Sequence, residues 1–546
     1  MLALGIGVLL GGGPQSAHPG TWASLYEMSD YNWPYAIRQT TDGGFIAAGF
    51  HGTVFPDQFM VMKLDPFGTI EWQGHFDTDF GDRAMSVWET SDGGYVAAGY
   101  THGVIHDMDI WIVKLDGSGQ VEWQKAYGKD SIEEVYGIVE TEDGGLVAAG
   151  QTTAAGRSDE ALLLKLDSAG NIEWQKTYGL SLLEYAYSVQ TTSDCGFIVA
   201  GSTNSSGAGG VDAWLLKLDE SGNVIWAKTY GGASNDAAYA VQETSDRGFI
   251  VAGDTESFGA GRKDFWILKL DPDGNVEWQK ALGGPENDSR PWIERGWDPS
   301  YVVGGSTIST SGHAEIWVLK LTLSGDVQWQ KSYGNNFLER LGRGACVQPT
   351  FDNGIVFGGD STSLIGGSYW WFLKTDSQGA VGEACPISVS ETHATSVETN
   401  ATVLDTNVVV ADSTMVQQET TMTLLDIPVT ANRQCTGSST DPPREVSGAG
   451  TRKPFRLAGT TLYWEEGTFN GAETFNLYRG ETGDLPSGDS GTCLRLDVPT
   501  NSTEDAGTPP PGTCWFYIVT GQNTSGEGPM GFDSAGGYRQ NRAPCP

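Results

Sequence analysis

Helical periodicity is the first thing missing from this chain. Across 546 residues no long run repeats its apolar positions every three or four residues, which excludes a helical bundle and points to strands. Charged residues are also scarce, at 18%, and basic ones above all: 32 Lys and Arg stand against 69 Asp and Glu, a formal net charge of −37. Nucleic-acid binding needs clustered cations to neutralise phosphates, so that class of partner is excluded. Such a surface stays soluble and attracts cations or basic partners. No apolar run is long enough to span a bilayer, so no membrane span is expected in the mature chain. The opening "MLALGIGVLLGGGPQSAHPG" has a short apolar core followed by small residues, as in the second half of a secretory signal, but lacks the basic segment that would precede it. Residues 1–19 are therefore read as a truncated signal or an apolar tail, and the protein as secreted, extracellular or cell-surface. The seven cysteines form no CxxC pair, which fits an oxidising compartment better than a thiolate metal centre. Gly-x-Ser-x-Gly, P-loop and haem motifs are absent.

What is abundant is Gly, at 75 residues, and Trp, at 19. Turn residues mixed with large aromatics suit many short strands joined by tight turns. Aligned on the turn "TSDGG", the chain shows Asp42, Asp92, Asp143, Asp194, Asp246, Asp298 and Asp352, each followed seven residues later by Gly49, Gly99, Gly150, Gly201, Gly253, Gly305 and Gly359. The period is 50 to 54 residues, seven times over. One unit reads as four strands, "AYSVQTT", "GFIVAGST", "AWLLKLD" and "GNVIWAKTYG". Four-stranded units repeating at this length predict an all-β, seven-bladed β-propeller over residues 20–384.

The segment "KLDSAGNIEWQKTYG" at 165–179 is then the hairpin between third and fourth strands, its Gly and Asn expected to supply positive φ. The fourth-strand tryptophans (Trp72, Trp123, Trp174, Trp226, Trp278, Trp329) are expected to fill the gap between blades. The seventh unit has a third strand and no fourth. Residues 21–27, which carry Trp22 and no third strand before it, are expected to complete it and close the ring.

These Leu-Asp-x-x-Gly-x-x-x-Trp hairpins resemble the propellers of quinoprotein dehydrogenases. The pattern "DGGyivaG…D.wllKlD..Gn..W.ktyGG" looks closer still to propellers of secreted bacterial proteins with no established activity. The resemblance implies the fold.

Residues 385–436 repeat differently. "HATSVET NATVLDT NVVVADS TMVQQET TMTLLDI" has period seven, with Glu398, Asp405, Asp412, Glu419 and Asp426 in register. Thr and Val dominate and no Leu seam exists, so extended chain is expected rather than a coiled coil. At ~3.3 Å per residue the stretch 393–434 reaches ~140 Å, similar to the rim of a propeller. One reading is a belt of one heptad per blade, closed by a Cys385–Cys435 disulfide; the others are a Thr-rich stalk or a separate small sheet. A linker at 437–452 leads to residues 453–546, read as a small β-sandwich. That segment resembles bacterial fibronectin type III-like modules, and Cys493 and Cys514 are expected to pair because they flank adjacent strands. Cys195, Cys346 and Cys545 are left without assigned partners, and Cys545 offers a route to self-association.

Strand order puts the tight turns on one face of the ring and the longer, more variable loops on the other, where binding sites belong. The loop face carries a patterned set of acids: Asp82, Glu133, Glu184, Asp236 and Asp288, and Asp109, Glu160, Asp212, Asp264 and Glu315. A ring that attracts Ca²⁺ or a cationic partner is one reading; acids that cap strand starts within their own blades is the plainer one. Function more often sits where a repeat breaks. In the first two units His51, His102 and His106, with Asp57, Asp107 and Asp109, offer imidazole and carboxylate ligands for Zn²⁺; solvated loops are the competing reading. In units six and seven Arg290, Arg295, Arg340 and Arg343 stand in or near first strands, with Trp292 and Trp297 as stacking surfaces. They could hold a carboxylate or sugar acid, or pair with Glu294 and Glu339. The function expected is recognition of a protein or glycan by the loop face without catalysis; a structural subunit of an extracellular assembly and a quinone-dependent or carbohydrate-active enzyme are the alternatives.

Overall fold

The computed structural model describes residues 20–381 apart from short loop segments, the strands between 388 and 436, and strands within 456–527. Among these residues every regular element is a β-strand. Seven sheets account for residues 22–436: six are built from four consecutive antiparallel strands plus one from the C-terminal segment, and the seventh combines strands within 339–375 with one N-terminal and one C-terminal strand. Blade 4 shows the plan: Glu184–Thr191, Phe197–Thr203, Asp212–Leu218 and Val224–Gly231. The second and third strands are buried along their whole length, so the core lies between the blades at mid-sheet.

Trp22–Glu27 pairs with Tyr369–Thr375, with Trp22 opposite Lys374, and so supplies the fourth strand of blade 7. Its indole also takes the seventh place in a ring of contacts. Trp22, Trp72, Trp123, Trp174, Trp226, Trp278 and Trp329 lie against Gly68, Gly119, Gly170, Gly222, Gly274, Gly325 and Gly379 of the next blade, where an added Cβ would come within 3.0 Å of the ring. These glycines all have positive φ, +74° at Gly170. Positive φ therefore belongs to Gly alone in this hairpin. Asn171 instead donates its side-chain amide to Asp167 at 2.9 Å. The tryptophan expectation is corrected in depth: all but Trp22 are half-buried at the blade margin, and the fully buried indoles are third-strand residues such as Trp111, Trp214, Trp266 and Trp317.

The repeated Lys and turn Asp also find each other. Lys63, Lys114, Lys165, Lys217 and Lys269, each at most 5% exposed, bind Asp42, Asp92, Asp143, Asp194 and Asp246 at 2.8 to 3.0 Å. The third strand is thereby tied to the turn between the first two. Burial raises these carboxyls, but the hydrogen bonds from lysine, threonine and glycine outweigh it and hold them below their usual pKa.

The heptads lie along the outer edge of the ring as backbone strands. Ser388–Glu391, Thr395–Glu398, Thr402–Asp405, Val409–Asp412, Val416–Glu419, Thr423–Leu425 and Thr430–Thr436 pair with the fourth strands of blades 6, 5, 4, 3, 2, 1 and 7 in that order. The chain returns around the ring in the direction opposite to the one in which it built it. One heptad spans one blade, and the register places Glu391, Glu398, Asp405, Asp412 and Glu419 opposite Lys331, Lys280, Lys228, Lys176 and Lys125. Directly opposed charges of opposite sign favour that register. The fourth strand of every blade is thus paired along part of its outer side, and the outermost edges are reduced to strands of three to seven residues, which offer another chain little to pair with.

Two further small sheets, of three and four strands, lie within residues 456–527. Cys195 is disulfide-bonded and Cys346 is buried. The side chains of the expected pairs Cys385–Cys435 and Cys493–Cys514 lie outside the described residues, as do residues 1–19, the 437–452 linker and Cys545.

Candidate functional site

First strands lie nearest the axis of a propeller, and in blades 1 to 5 each carries a bulge at the same place. The register skips Tyr35, Met85, Tyr136, Tyr187 and Tyr239. A bulged residue leaves the ladder and is re-aimed by the local twist. The repeated glycines at 49, 99, 150, 201 and 253 sit opposite: a Cβ there would come within 2.2 Å of a first-strand carbonyl oxygen. Those glycines are what allows the bulge.

The bulged side chains of blades 3 to 5, joined by Tyr185, cluster into a cup on the loop side of the axis, whereas Tyr35 and Met85 are buried. Rings of Tyr136 and Tyr187 lie 5.7 Å apart, those of Tyr187 and Tyr239 5.2 Å apart, and Tyr185 stacks on Tyr187 at 5.8 Å. All four are partly exposed. Carboxylates stand at their edges. Tyr136 donates to Glu134 at 2.5 Å, Gln151 to the same oxygen at 2.8 Å, and Tyr185 to Asp159 at 2.8 Å. Asp254, 2% exposed, pairs with Lys263 at 3.3 Å and shares a hydrogen bond with Tyr239. Burial raises the Asp254 carboxyl, opposed by Lys263, the Arg290 backbone N–H and Tyr239. Burial and the nearby acids likewise raise the hydroxyls of Tyr136, Tyr185 and Tyr239, which stay protonated donors. On the blade 1 and 2 side Arg83 meets Asp57 at 2.6 Å and lies 4.4 Å from the Phe50 ring centroid.

Three residues farther along each first strand lies a floor. Arg38 of blade 1 reaches Glu294 of blade 6 at 4.0 Å and stacks 4.3 Å over the Trp88 ring of blade 2. Glu294 also accepts from Gln242 and from the Trp292 indole. Side chains from four blades thus meet below the cup.

The arginine set expected from the sequence is not one site. Arg290 lies at the cup, at φ +56°, donating its backbone N–H to Asp254 at 3.2 Å, with its charge acting on Tyr187 and Tyr239. Arg295 ends the same strand on the opposite face. Five residues of extended chain separate them by about 16 Å. Trp292 is buried, bonded to Glu294 at 3.1 Å, and Trp297 is half-buried between blades, donating to the Pro349 carbonyl at 3.3 Å. Trp292 therefore offers no free stacking face. Arg340 lies in the strand Glu339–Leu341; its side chain, and all of Arg343, lie outside the described residues.

The histidines are likewise separated by their own partners. His51 is buried, bonded to Asn32 at 2.8 Å and packed on His75 with centroids 5.3 Å apart. His102 bonds the Gly81 carbonyl at 2.6 Å, Asp107 is exposed, and His106 lies outside the described residues. Asp109 accepts the Ile105 N–H at 2.7 Å. Among the described residues no three His, Cys, Asp or Glu side chains converge as a metal site. The patterned acids cap loops: Asp236 accepts from Gly232 at 2.8 Å, Asp288 from Gly284 at 2.9 Å, and Glu184 from Thr203 at 2.9 Å.

The sequence reading missed the tyrosine cup, although a signal existed. Tyr35, Tyr136, Tyr187 and Tyr239 each stand seven residues before the turn Asp of their unit. An aromatic at one fixed offset in four units of seven marks a recurring position, which is partly exposed at Tyr136, Tyr187 and Tyr239 and buried at Tyr35.

No known protein family matches the chain, and no curated protein does. Solved structures with the same broad architecture include the Pan2 WD40 domain of Neurospora crassa, at 11% identity over 63% of this chain and 96% of that one, with a TM-score of 0.37. A protein of unknown function from Dyadobacter fermentans shows 10% identity over 65% and 99%, with a TM-score of 0.36, and a glucose dehydrogenase 11% over 53% and 95%, with a TM-score of 0.33. Likenesses this distant say nothing about activity. The propeller assignment rests on the sheets themselves.

Proposed function

We propose that this chain is a non-catalytic recognition protein, secreted or displayed at the cell surface, that takes a glycan in the tyrosine cup on the loop side of the propeller axis. The supporting observation is the juxtaposition of partly exposed Tyr136, Tyr185, Tyr187 and Tyr239 rings with Glu134, Asp159, Asp254 and Arg290. Sugar rings present apolar faces to aromatic planes and hydroxyls to carboxylates and guanidinium groups, and this set supplies both. The cup is formed where the repeats differ, so it carries information that the uniform turn face lacks. In this reading the two C-terminal sheets form a fibronectin type III-like module that displays or anchors the ring. Binding of the full chain to an immobilised glycan panel tests the proposal. A saturable ligand is expected, weakened at least tenfold by Tyr187→Ala and by Arg290→Ala, with Tyr187→Phe retaining most affinity because the ring supplies the contact. No glycan bound, or binding indifferent to both alanine variants, would overturn it. A carbohydrate-active enzyme is the second reading, favoured by the raised Asp254 carboxyl; release of reducing ends from a bound glycan, lost in Asp254→Asn, would select it.

A further inference from the structure

The turn face is held together by a clamp between neighbouring blades. At the end of a first strand a glutamate accepts both the backbone N–H and the hydroxyl of the turn residue in the preceding blade. Glu89 takes Thr41 at 2.7 and 2.7 Å, Glu140 takes Ser91 at 2.7 and 2.8 Å, and Glu243 takes Ser193 at 2.7 and 2.9 Å. Two other junctions vary both sides of the contact. Glu142 holds the turn position in blade 3 and Thr191 the clamp position in blade 4, and Phe351 of blade 7 donates to Gln39 of blade 1 at 2.7 Å.

The junction of blades 5 and 6 keeps the donors and loses the acceptor. Ser245 holds the place of Ser91 and Ser193, but the clamp position is Arg295. Neither the Ser245 N–H nor its hydroxyl has a hydrogen bond, and Arg295 has no ion pair, among the described residues. In place of the missing glutamate lies a cavity of about 270 Å³ lined by Ser245, Arg295, Lys269, Trp278, Tyr301 and Leu323, among others. Lys269 is already neutralised by Asp246 at 2.9 Å and Glu277 at 3.1 Å. The junction of blades 2 and 3 accommodates the Glu140 carboxylate beside the equivalent trio Lys114, Asp92 and Glu122, with Lys114 the cation that acts on it among the described residues. With Arg295 added, a carboxylate at blades 5 and 6 is better compensated than the protein's own is elsewhere.

We infer that this cavity binds a small carboxylate ligand, whose two oxygens take the Ser245 N–H and hydroxyl in the place of the absent glutamate while Arg295 pairs with its charge. Trp278, Tyr301 and Leu323 provide apolar walls for the rest of a molecule the size of a monosaccharide or an amino acid. The inference is independent of the cup, which lies on the opposite face.

The test uses the full chain, calorimetric titration and a panel of glucuronate, galacturonate, glutamate and succinate, with glucose as the neutral control. Saturable binding of at least one carboxylate is expected, with none for glucose. Arg295→Ala should weaken it at least tenfold. Arg295→Glu restores the clamp found at the other junctions, so it should abolish binding while raising the melting temperature, which shows that the variant is folded. Preference for the uronates identifies an acid sugar as the source of the carboxylate, and preference for glutamate an amino acid. No binding by any of the four, or equal binding by Arg295→Glu, would overturn the inference.

Discussion

On the turn face, Lys217 grips Asp194, Glu243 grips Ser193, and the same contacts recur from blade to blade with distances that differ by a few tenths of an ångström. On the loop face, five bulges at one position carry Tyr, Met, Tyr, Tyr and Tyr, and around them stand an arginine in one blade, a glutamate in another and a buried aspartate in a third. The lysine–aspartate contact repeats because each blade ties its third strand to its own turn in the same way, while the glutamate clamp between blades is kept at three junctions. The loop face is free to vary because its strands are already fixed from below. At one of the junctions that depart from the clamp, that of Ser245 and Arg295, a cavity opens.

The comparison can be broken most completely from outside. A chain ending at Ala384 lacks the strands that cover all seven sheet edges, including the partner of Trp22–Glu27. It is expected to melt at least about 10 °C lower and to aggregate, read by calorimetry and light scattering. Within the turn face, Asp194→Ala leaves the buried Lys217 ammonium without its carboxylate, at an expected cost of about 3 kcal/mol in denaturant unfolding. Because these turn carboxyls have lowered pKa in the folded state, the stability they add is complete above the unfolded value near pH 4 and is lost as pH falls through the folded one. Asp194→Ala should therefore flatten the acid limb of the stability profile.

The loop face has the opposite sign. Burial, with Asp288 adding to it, raises the Asp264 carboxyl to about 6. The fold favours its protonated form, so stability is greatest below the unfolded value and falls as pH rises toward and through 6. Asp264→Asn is expected to raise the melting temperature at pH 7.5 and to remove this decline. A melting temperature that rises with added Ca²⁺ in the parent chain but not in the variant would instead show that a cation compensates Asp264 at neutral pH. The smallest effect expected is at a turn. Arg247, at φ +63°, occupies the place of Gly43 and Gly93; Arg247→Gly should stabilise by about 0.5–1 kcal/mol, measured by the same unfolding assay.

Much of the ring was legible because repetition multiplies a weak local signal. The Asp and Gly seven residues apart, the Leu-Asp-x-x-Gly hairpin and the orphan Trp22 were sufficient to count seven blades and close them. The site was far less legible. Arg290 and Arg295 are neighbours in sequence yet lie on opposite faces, because five residues of strand cross the sheet from end to end. His51 and His102 share a face yet bind Asn32 and the Gly81 carbonyl. Trp292 reads as a stacking surface until its indole is seen bonded to Glu294 below the cup.

Local sequence alone determined where strands, turns and bulge-permitting glycines fall, since those depend on φ preferences and on alternation over a few residues. The seven-residue period of the C-terminal segment likewise determined that it would be extended. Only the tertiary structure decided that Glu391, Glu398, Asp405, Asp412 and Glu419 would stand opposite lysines some 60 to 290 residues away in sequence, that four tyrosines from three blades would meet, and that Ser245 and Arg295 would line one cavity. Those are contacts between blades, set by how neighbouring sheets pack around a common axis, and no window of sequence shorter than the whole ring contains them.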